Sequence, residues 1–573
     1  MNTFKLFLSY IVISVFIFSC DSDFLLRTPL DEVTSVDYFK SPNDLKAYMN
    51  QFYSNTYFPR YNNHGNDFDS DNEITQSVNR RLEGTRTVST TGSIGFGHVR
   101  SINYFFDHYR KVEKENSFES YKQYLGEAYF FRALIYYRLL QSYGNIQWIT
   151  TELGTSSPDL YKARDPRNKV ADEIIAALDT AASYLTDDKT RGAGRVNKWM
   201  ALLMQSRIAL YEGSWEKYHA GTAFGVENAN PEKYFEKAVE AASQVMNSGV
   251  YDIFTTGNSE SDYKTLFSLQ DYSSNEEVMF WREYNNELTR GDRAFTNDRN
   301  FRMETPSGKT ITKELADAYL CKDGKPIQAS PLFGGYETLL DEMQNRDPRF
   351  LQTIATPDQV WKIFEDGTIS YWEEVYEKLN TSSDYNAPSG YIIQKGYNPN
   401  MEYHVQQYEE TPSILYRYAE VLLNYVEAKA ELGNIDQSDI DKTIKKLRDR
   451  VGMPNLILND IALDPSWDFP ELSPIINEIR RERRVELAAE GFRWDDIARW
   501  AAADELIIGQ RPKGFLASQI SVNPFPIDDE GFLDPFQNAI PNGYGFDPKR
   551  DYLNSIPESE IVLNPELTQN PGW

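Results

Sequence analysis

The chain is short of cysteine, histidine and positive charge, and each shortage closes off a class of function. Only Cys20 and Cys321 occur in 573 residues, so no disulfide framework holds the fold. Cys321 is expected to be a small core residue. The five histidines, His64, His98, His108, His219 and His404, form no pair at metal-ligand spacing. Neither HExxH nor CxxC is present, which argues against a metalloenzyme, and the absence of GxSxG argues against a serine hydrolase. The run Gly92-Ser93-Ile94-Gly95-Phe96-Gly97 lacks the continuation of a phosphate loop, and no other motif calls for a cofactor. Lysine and arginine number 59 against 86 acidic residues, a net charge of −27. Such a surface repels nucleic-acid phosphates. Beyond the first twenty residues there is no apolar run long enough to span a bilayer.

The beginning of the chain reads as a targeting segment. Lys5 precedes a short apolar run at residues 6–18, which Ser19-Cys20 ends. A lipoprotein signal peptide over 1–19, with Cys20 acylated, accounts for this pattern, and Ser19-Cys20 resembles a bacterial lipobox. An ordinary secretory signal with an incidental cysteine is the alternative. Asp21-Ser22-Asp23 would follow the lipid as a solvated tether.

Aromatic residues reach 14 %, with 37 Tyr, 32 Phe and 10 Trp, enough for both core packing and stacking surfaces. Apolar spacing of three and four predicts helices over 43–57, 99–111, 118–143, 165–185, 197–211, 234–246, 412–432 and 435–452. Ser41 and Pro42 suit the cap and first turn of the first helix. Gly390-Tyr391-Ile392-Ile393 reads as a strand. A helical hairpin is expected over 479–500, with Arg483, Glu486 and Glu490 on one face at i, i+3 and i+7 and Gly491 as its stop. Those charges are expected to form a partly buried network, the alternative being a solvated face. Two stretches lose the helical period, 57–97 and 281–391. Asp67, Asp69 and Asp71 alternate in the first of these, without the glycine and glutamate that a calcium loop requires.

Ile479-Arg480-x-Glu482-Arg483-Arg484-x-Glu486-Leu487-x-x-Glu490-Gly491-x-Arg493-Trp494-x-Asp496-x-x-Arg499-Trp500 closely resembles the C-terminal signature of the SusD/RagB family. Gly126-Glu127-Ala128-Tyr129-Phe130-Phe131-Arg132-Ala133-Leu134, Arg346-Asp347-Pro348-Arg349-Phe350 and Arg417-Tyr418-Ala419-Glu420-Val421-Leu422-Leu423-Asn424-Tyr425 resemble three further family segments. The resemblance implies a mainly α fold, with tetratricopeptide-like helix pairs as scaffold, loop-rich insertions and a few short strands. It implies an N-terminal helical region at 20–250 with an insertion at 57–97. A C-terminal region at 251–573 would carry a mixed insertion at 251–400 and helix pairs at 412–502. It also implies a lipid-anchored outer-membrane protein, facing outward, that binds oligosaccharide without turnover. Its partner would be a SusC-like TonB-dependent transporter, for which it acts as lid.

A sugar offers apolar C–H faces and a rim of hydroxyls, so its contacts are sought among aromatic and polar residues of the aperiodic stretches. These are Tyr57, Tyr61 and Phe96 in the first, and Trp281, Tyr284, Trp361, Tyr371 and Trp372 in the second, with Asp67 and Asn72 as polar partners. Trp281 is the foremost expectation, and a buried strand position is its alternative. A surface glycoside hydrolase, a peptide-binding relative and a protein-binding helical scaffold remain open alternatives.

Overall fold

A computed structural model describes residues 38–59, 67–189, 194–288 and 296–573. The signal peptide expected at 1–19, the lipidation candidate Cys20 and the ligand candidate Tyr61 lie outside the described residues. Among the described residues, no helix is long and apolar enough to cross a membrane.

The first half is a stack of helices: α1 (Pro42–Met49), α2 (Phe96–His108), α3 (Phe118–Tyr143), α4 (Arg167–Tyr184), α5 (Lys198–Tyr218) and α6 (Pro231–Ser248). Ser41 and Asp44 close a capping box on α1, with Pro42 in its first turn. Helix α3 packs on α4, α4 on α5 and α5 on α6. Each helix thus buries its apolar stripe on its neighbour in sequence, the logic of a helical repeat. Glycine sets two of the close approaches. A Cβ on Gly126 would lie 3.0 Å from Leu185, and one on Gly213 would lie 2.9 Å from the Phe235 ring.

The second half adds α7 (Asp262–Ser268), α8 (Pro348–Thr353), α9 (Tyr418–Glu431), α10 (Gln437–Lys442), α11 (Ile444–Arg450), α12 (Pro474–Glu486) and α13 (Arg493–Arg499). Helix α9 continues the stack against α6 and α5, α12 lies on α9, and α13 returns to α5. One apolar core therefore runs from Phe39 to Leu567. The strands are short: β1 (Glu73–Ile74), β2 (Val278–Arg282), β3 (Thr310–Ile311), β4 (Val360–Ile363), β5 (Ile369–Tyr371) and β6 (Ser413–Arg417). They pair antiparallel as β1–β3, β2–β6 and β4–β5.

Four local expectations are corrected. The helix expected from residue 412 starts at Tyr418, because β2 captures Ser413–Arg417 as its partner strand. The expected strand at 390–393 makes only isolated bridges, Tyr391 with Ile311 and Ile393 with Ile354. The helix expected over 435–452 breaks at Thr443, whose φ of −124° and ψ of −87° separate α10 from α11. Helix α12 ends at Glu486, before Gly491. Ala489, with φ 62°, is already left-handed there. Tertiary bonds hold that strained turn: Lys395 Nζ donates to the Ala488 carbonyl at 2.7 Å, and the Ala489 N–H donates to Asp67 at 3.0 Å.

The expected charge network is present, buried except at the edge of Glu490, and divided in two. Glu486 accepts from Arg417 and Arg450 at 2.7 Å and from Arg349 at 2.9 Å. Glu490, beyond the helix, joins from the turn and accepts from Arg417 and Lys395 at 2.6 and 2.7 Å. Arg483 belongs to a second cluster, donating to Asp496 at 2.9 Å and to Asn424 at 2.9 Å. Arg499 links Asp496 to Glu427 in that cluster.

Removing one partner of such a buried network leaves charge unpaired. Arg417→Ala is expected to lower unfolding free energy by about 3–5 kcal/mol in denaturant titration, against about 0–1 for an exposed pair such as Lys445–Asp449.

A second expectation concerns pH. Burial pushes Asp67 and Asp495 up to about 6, and Glu314 and Glu342 up to about 7. Burial also opposes the charge of Glu427, but Arg499 and its neighbours hold that carboxyl down at about 2. A raised carboxyl binds its proton more readily in the folded state, so its contribution grows as pH falls from 7 towards about 4. A depressed one contributes above about 4 and loses that contribution towards 2. Buried His219, lowered to about 3, subtracts as pH falls below about 6.5 but is outnumbered. The melting temperature should rise from pH 7.5 to about 5 and drop steeply below about 4. A flat profile across that range would contradict the assignment.

Candidate functional site

The residues singled out as ligand contacts are largely structural. Trp281 is 7 % exposed, pairs with Ile414 across β2–β6 and meets Tyr272 edge-on at 6.3 Å. Tyr284 is buried beneath the Arg282 guanidinium, 5.4 Å from its ring. Trp361 is also buried and donates to the Glu304 carbonyl at 3.0 Å. Trp372 is fully buried, 6.1 Å from Trp361 and 5.4 Å from Tyr397. Tyr57 is buried, and Phe96 is half-buried at the edge of an apolar cleft. These rings fill core positions, which corrects the expectation that they face a ligand.

Asp67 and Asn72 are corrected for a different reason. Their loop is clamped under α12 and α13. Asp71 takes Arg484 and Arg493 at 2.8 and 2.7 Å, Asn72 Oδ1 accepts from Arg484 at 2.8 Å, and Asp67 accepts the Ala489 N–H. Burial opposes the Asp71 charge, but the two guanidiniums outweigh it and hold the carboxyl at about 2. Asp71 and Asn72 bind the scaffold's own arginines and Asp67 its backbone, so these side chains are engaged within the fold.

The structure does bring the two aperiodic stretches together. Arg282, from β2, donates to the Phe58 carbonyl at 2.9 Å and to the Asn55 side chain. Further hydrogen bonds join the neighbouring segments. The Asn286 N–H donates to Glu410 at 2.5 Å. Asn297 and Glu409 exchange backbone bonds at 2.9 and 3.0 Å. The Glu409 carboxylate accepts the Asn300 and Phe301 N–H groups at 2.8 Å each. Glu304 joins Lys362 at 2.7 Å and His404 at 2.8 Å, and Ile363 bridges Asn400.

Five large apolar side chains stand out from this surface: Leu288, Phe301, Phe364, Tyr371 and Tyr408, each between 38 and 58 % exposed. Tyr371 was expected from sequence; Phe301, Phe364 and Tyr408 were missed. For Phe364 a signal existed. Glu365-Asp366-Gly367 separates Val360-Trp361-Lys362-Ile363 from Ile369-Ser370-Tyr371, and Asp-Gly between alternating apolar runs marks a hairpin. Gly367 has φ 84°, the left-handed conformation such a turn needs. Exposed rings on a rigid hairpin present flat apolar faces, with Asn55, Asn285, Gln406 and Glu402 as solvent-facing polar neighbours. Among the described residues, no group of three or more His, Cys, Asp or Glu is placed to hold a metal ion.

Clefts also lie elsewhere. One of about 350 Å³ is charged, with Trp467, Arg484 and Arg511 in its wall. Asp71 matches Arg484 and Arg493 there, Asp534 matches Arg511 and Asp464 matches Arg481. The other, about 450 Å³ and apolar, opens at the start of α2 beside Leu160, Tyr161 and Leu563.

Known proteins with this architecture share the sequence signatures as well. The model of the SusD family matches residues 266–573. A model described as starch-binding, associating with outer membrane, matches residues 20–210. SusD-like protein P2 of Formosa agariphila is 24 % identical over 449 residues, covering 78 % of this chain and 73 % of that protein. A SusD-like protein of Bacteroides fragilis has the same fold, with a TM-score of 0.71 at 20 % identity over 96 % of this chain and 100 % of the other. A SusD-like carbohydrate-binding protein of the same species gives 0.69 at 20 % identity, covering 92 % and 99 %. A laminarin-binding SusD-like protein gives 0.59 at 18 % identity, covering 93 % and 100 %. With more than half its length matched by the family model and its fold shared end to end, the chain belongs to the SusD family.

Proposed function

We propose that the protein captures oligosaccharide at the cell surface and passes it to a TonB-dependent outer-membrane transporter, for which it acts as a lid. Relatives described as carbohydrate-binding and laminarin-binding support a glycan as the ligand class. The observation that carries the reading is the set of exposed rings Phe301, Phe364, Tyr371 and Tyr408 on segments that hydrogen bonds tie together. An exposed aromatic ring holds an apolar sugar face by dispersion and C–H contact, while amides and carboxylates beside it take the hydroxyls. Acylation of Cys20 would tether the chain, and closure over the transporter would be a hinge movement of a rigid body.

Hydrolysis is the competing reading, and it needs two free carboxyl groups flanking a scissile bond. On this surface the inward carboxylates are already engaged. Glu304 is held by Lys362 and His404, and Glu409 by two backbone N–H groups. Binding without turnover is the better fit.

Four measurements test this. Tyr371→Ala is expected to weaken binding of the best ligand on an oligosaccharide panel about tenfold or more, with an unchanged melting curve. Trp281→Ala should instead cost about 3–5 kcal/mol of stability, as loss of a buried indole does. Full affinity in Tyr371→Ala would move the site off the hairpin. Chromatography after long incubation should return the oligosaccharide intact, and shorter products would favour the hydrolase. Cys20→Ala should release the protein from the membrane fraction; undiminished retention would remove the lipid anchor.

A further inference from the structure

A cleft of about 240 Å³ lies at the first turn of α4, and none of its walls belongs to the aromatic surface. Arg164, Arg167, Trp215, Phe224 and Asn570 line it, with one acidic residue, Glu227, also in the wall. Arg167 is 4 % exposed. Its Nε and Nη2 grip Glu212 at 3.0 and 2.7 Å, and its guanidinium lies 3.9 Å above the Trp215 ring. Its Nη1 has no acceptor.

Arg164 is the more unusual of the two. Nη1 donates to the carbonyls of Tyr143 and Asn145 at 3.2 Å each and to Asn570 Oδ1 at 2.7 Å, and Nη2 donates to Thr568 at 3.3 Å. Among the described residues none of its partners is a carboxylate, and Nε has no acceptor. Burial lowers its pKa to about 10 with no acid to offset it. A third contribution is the helix itself. Pro166 caps α4 and offers no side-chain acceptor, so the positive end of an 18-residue helix also faces this corner.

We infer that this cleft is a binding site for a compact oxyanion, a carboxylate, sulfate or phosphate group, free or carried on a sugar ring. The free Nε–H of Arg164, the free Nη1–H of Arg167 and a helix N-terminus supply donors and positive charge for such a group. In a chain of net charge −27, a half-buried arginine without an acid is costly to keep unless its counter-charge arrives from outside. The two unsatisfied nitrogens are shielded from bulk water. Ala223 and Gly225 are exposed at the edge of the cleft. The site is independent of the aromatic surface, so neither stands or falls with the other.

Isothermal titration of the protein with sodium sulfate, sodium phosphate and sodium glucuronate, against chloride at equal ionic strength, tests the inference. Saturable one-site binding is expected for at least one of the three, and no binding for glucose. Arg164→Gln should weaken it at least tenfold. Sulfate or phosphate alone identifies a free ion as the source, and glucuronate alone a sugar-borne one; either supports the site. No saturable binding by any of the three, or parental affinity in a folded Arg164→Gln, overturns it. Should that variant fail to fold, parent crystals soaked in selenate decide. An anomalous peak between Arg164 and Arg167 supports the site, and peaks only elsewhere overturn it.

Discussion

One buried carboxylate, that of Glu486, ties together parts of the chain that have no other reason to meet. It has no exposed surface and accepts from Arg349, Arg417 and Arg450. Those arginines come from the second insertion, from the strand below α9 and from α11. Around it Glu277, Asp347, Glu482 and Glu490 stand against Lys395 and Arg448 as well, so that the acids and bases balance. A buried cluster of this kind adds little net stability over apolar packing, but an unmatched member is severely penalised. Its consequence is specificity: only one docking of insertion, strand and helix satisfies every charge. The aromatic surface hangs on segments whose position that docking fixes.

The same constraint shows what could be seen in the sequence and what could not. Helix α3 was legible to the residue over 118–143, because its period and its terminal glycine are local signals. The charged hairpin was legible as a network only through its resemblance to the family signature, because arginine and glutamate at helical spacing suit a solvated face as well. Its end was not. Ala489 adopts φ 62° because Lys395 and Asp67, far away in sequence, bind the turn. Nothing in the local string distinguishes that turn from another helical step. Residues 413–417 were misread in the same way: they have the composition of a helix start, and become strand because β2 lies beside them.

Asp67 and Asn72 show the limit most clearly. An acidic, glycine-poor stretch inside a loop-rich region has the composition of a ligand rim. Burial decides otherwise, and burial depends on α12 and α13 arriving from the other end of the chain with Arg484 and Arg493 unpaired. Asp71 of the loop is the counter-charge of two arginines of the signature motif. That motif identified the family, yet its own arginines could not be assigned partners before the fold was known.

The β4–β5 hairpin shows how core and surface cooperate in the candidate site. Tyr371 ends β5, and Trp372, with φ −60° and ψ −17°, begins the helical turn that follows. Trp372 is buried against Trp361 and Tyr397, and Tyr371 is left in solvent. The buried indoles thus hold the exposed phenol ring in place although they touch no ligand themselves. A ring held in this way loses little freedom when a sugar stacks on it, so less of the contact energy is cancelled by ordering. The tryptophans that composition singled out contribute to recognition through the neighbour they hold still.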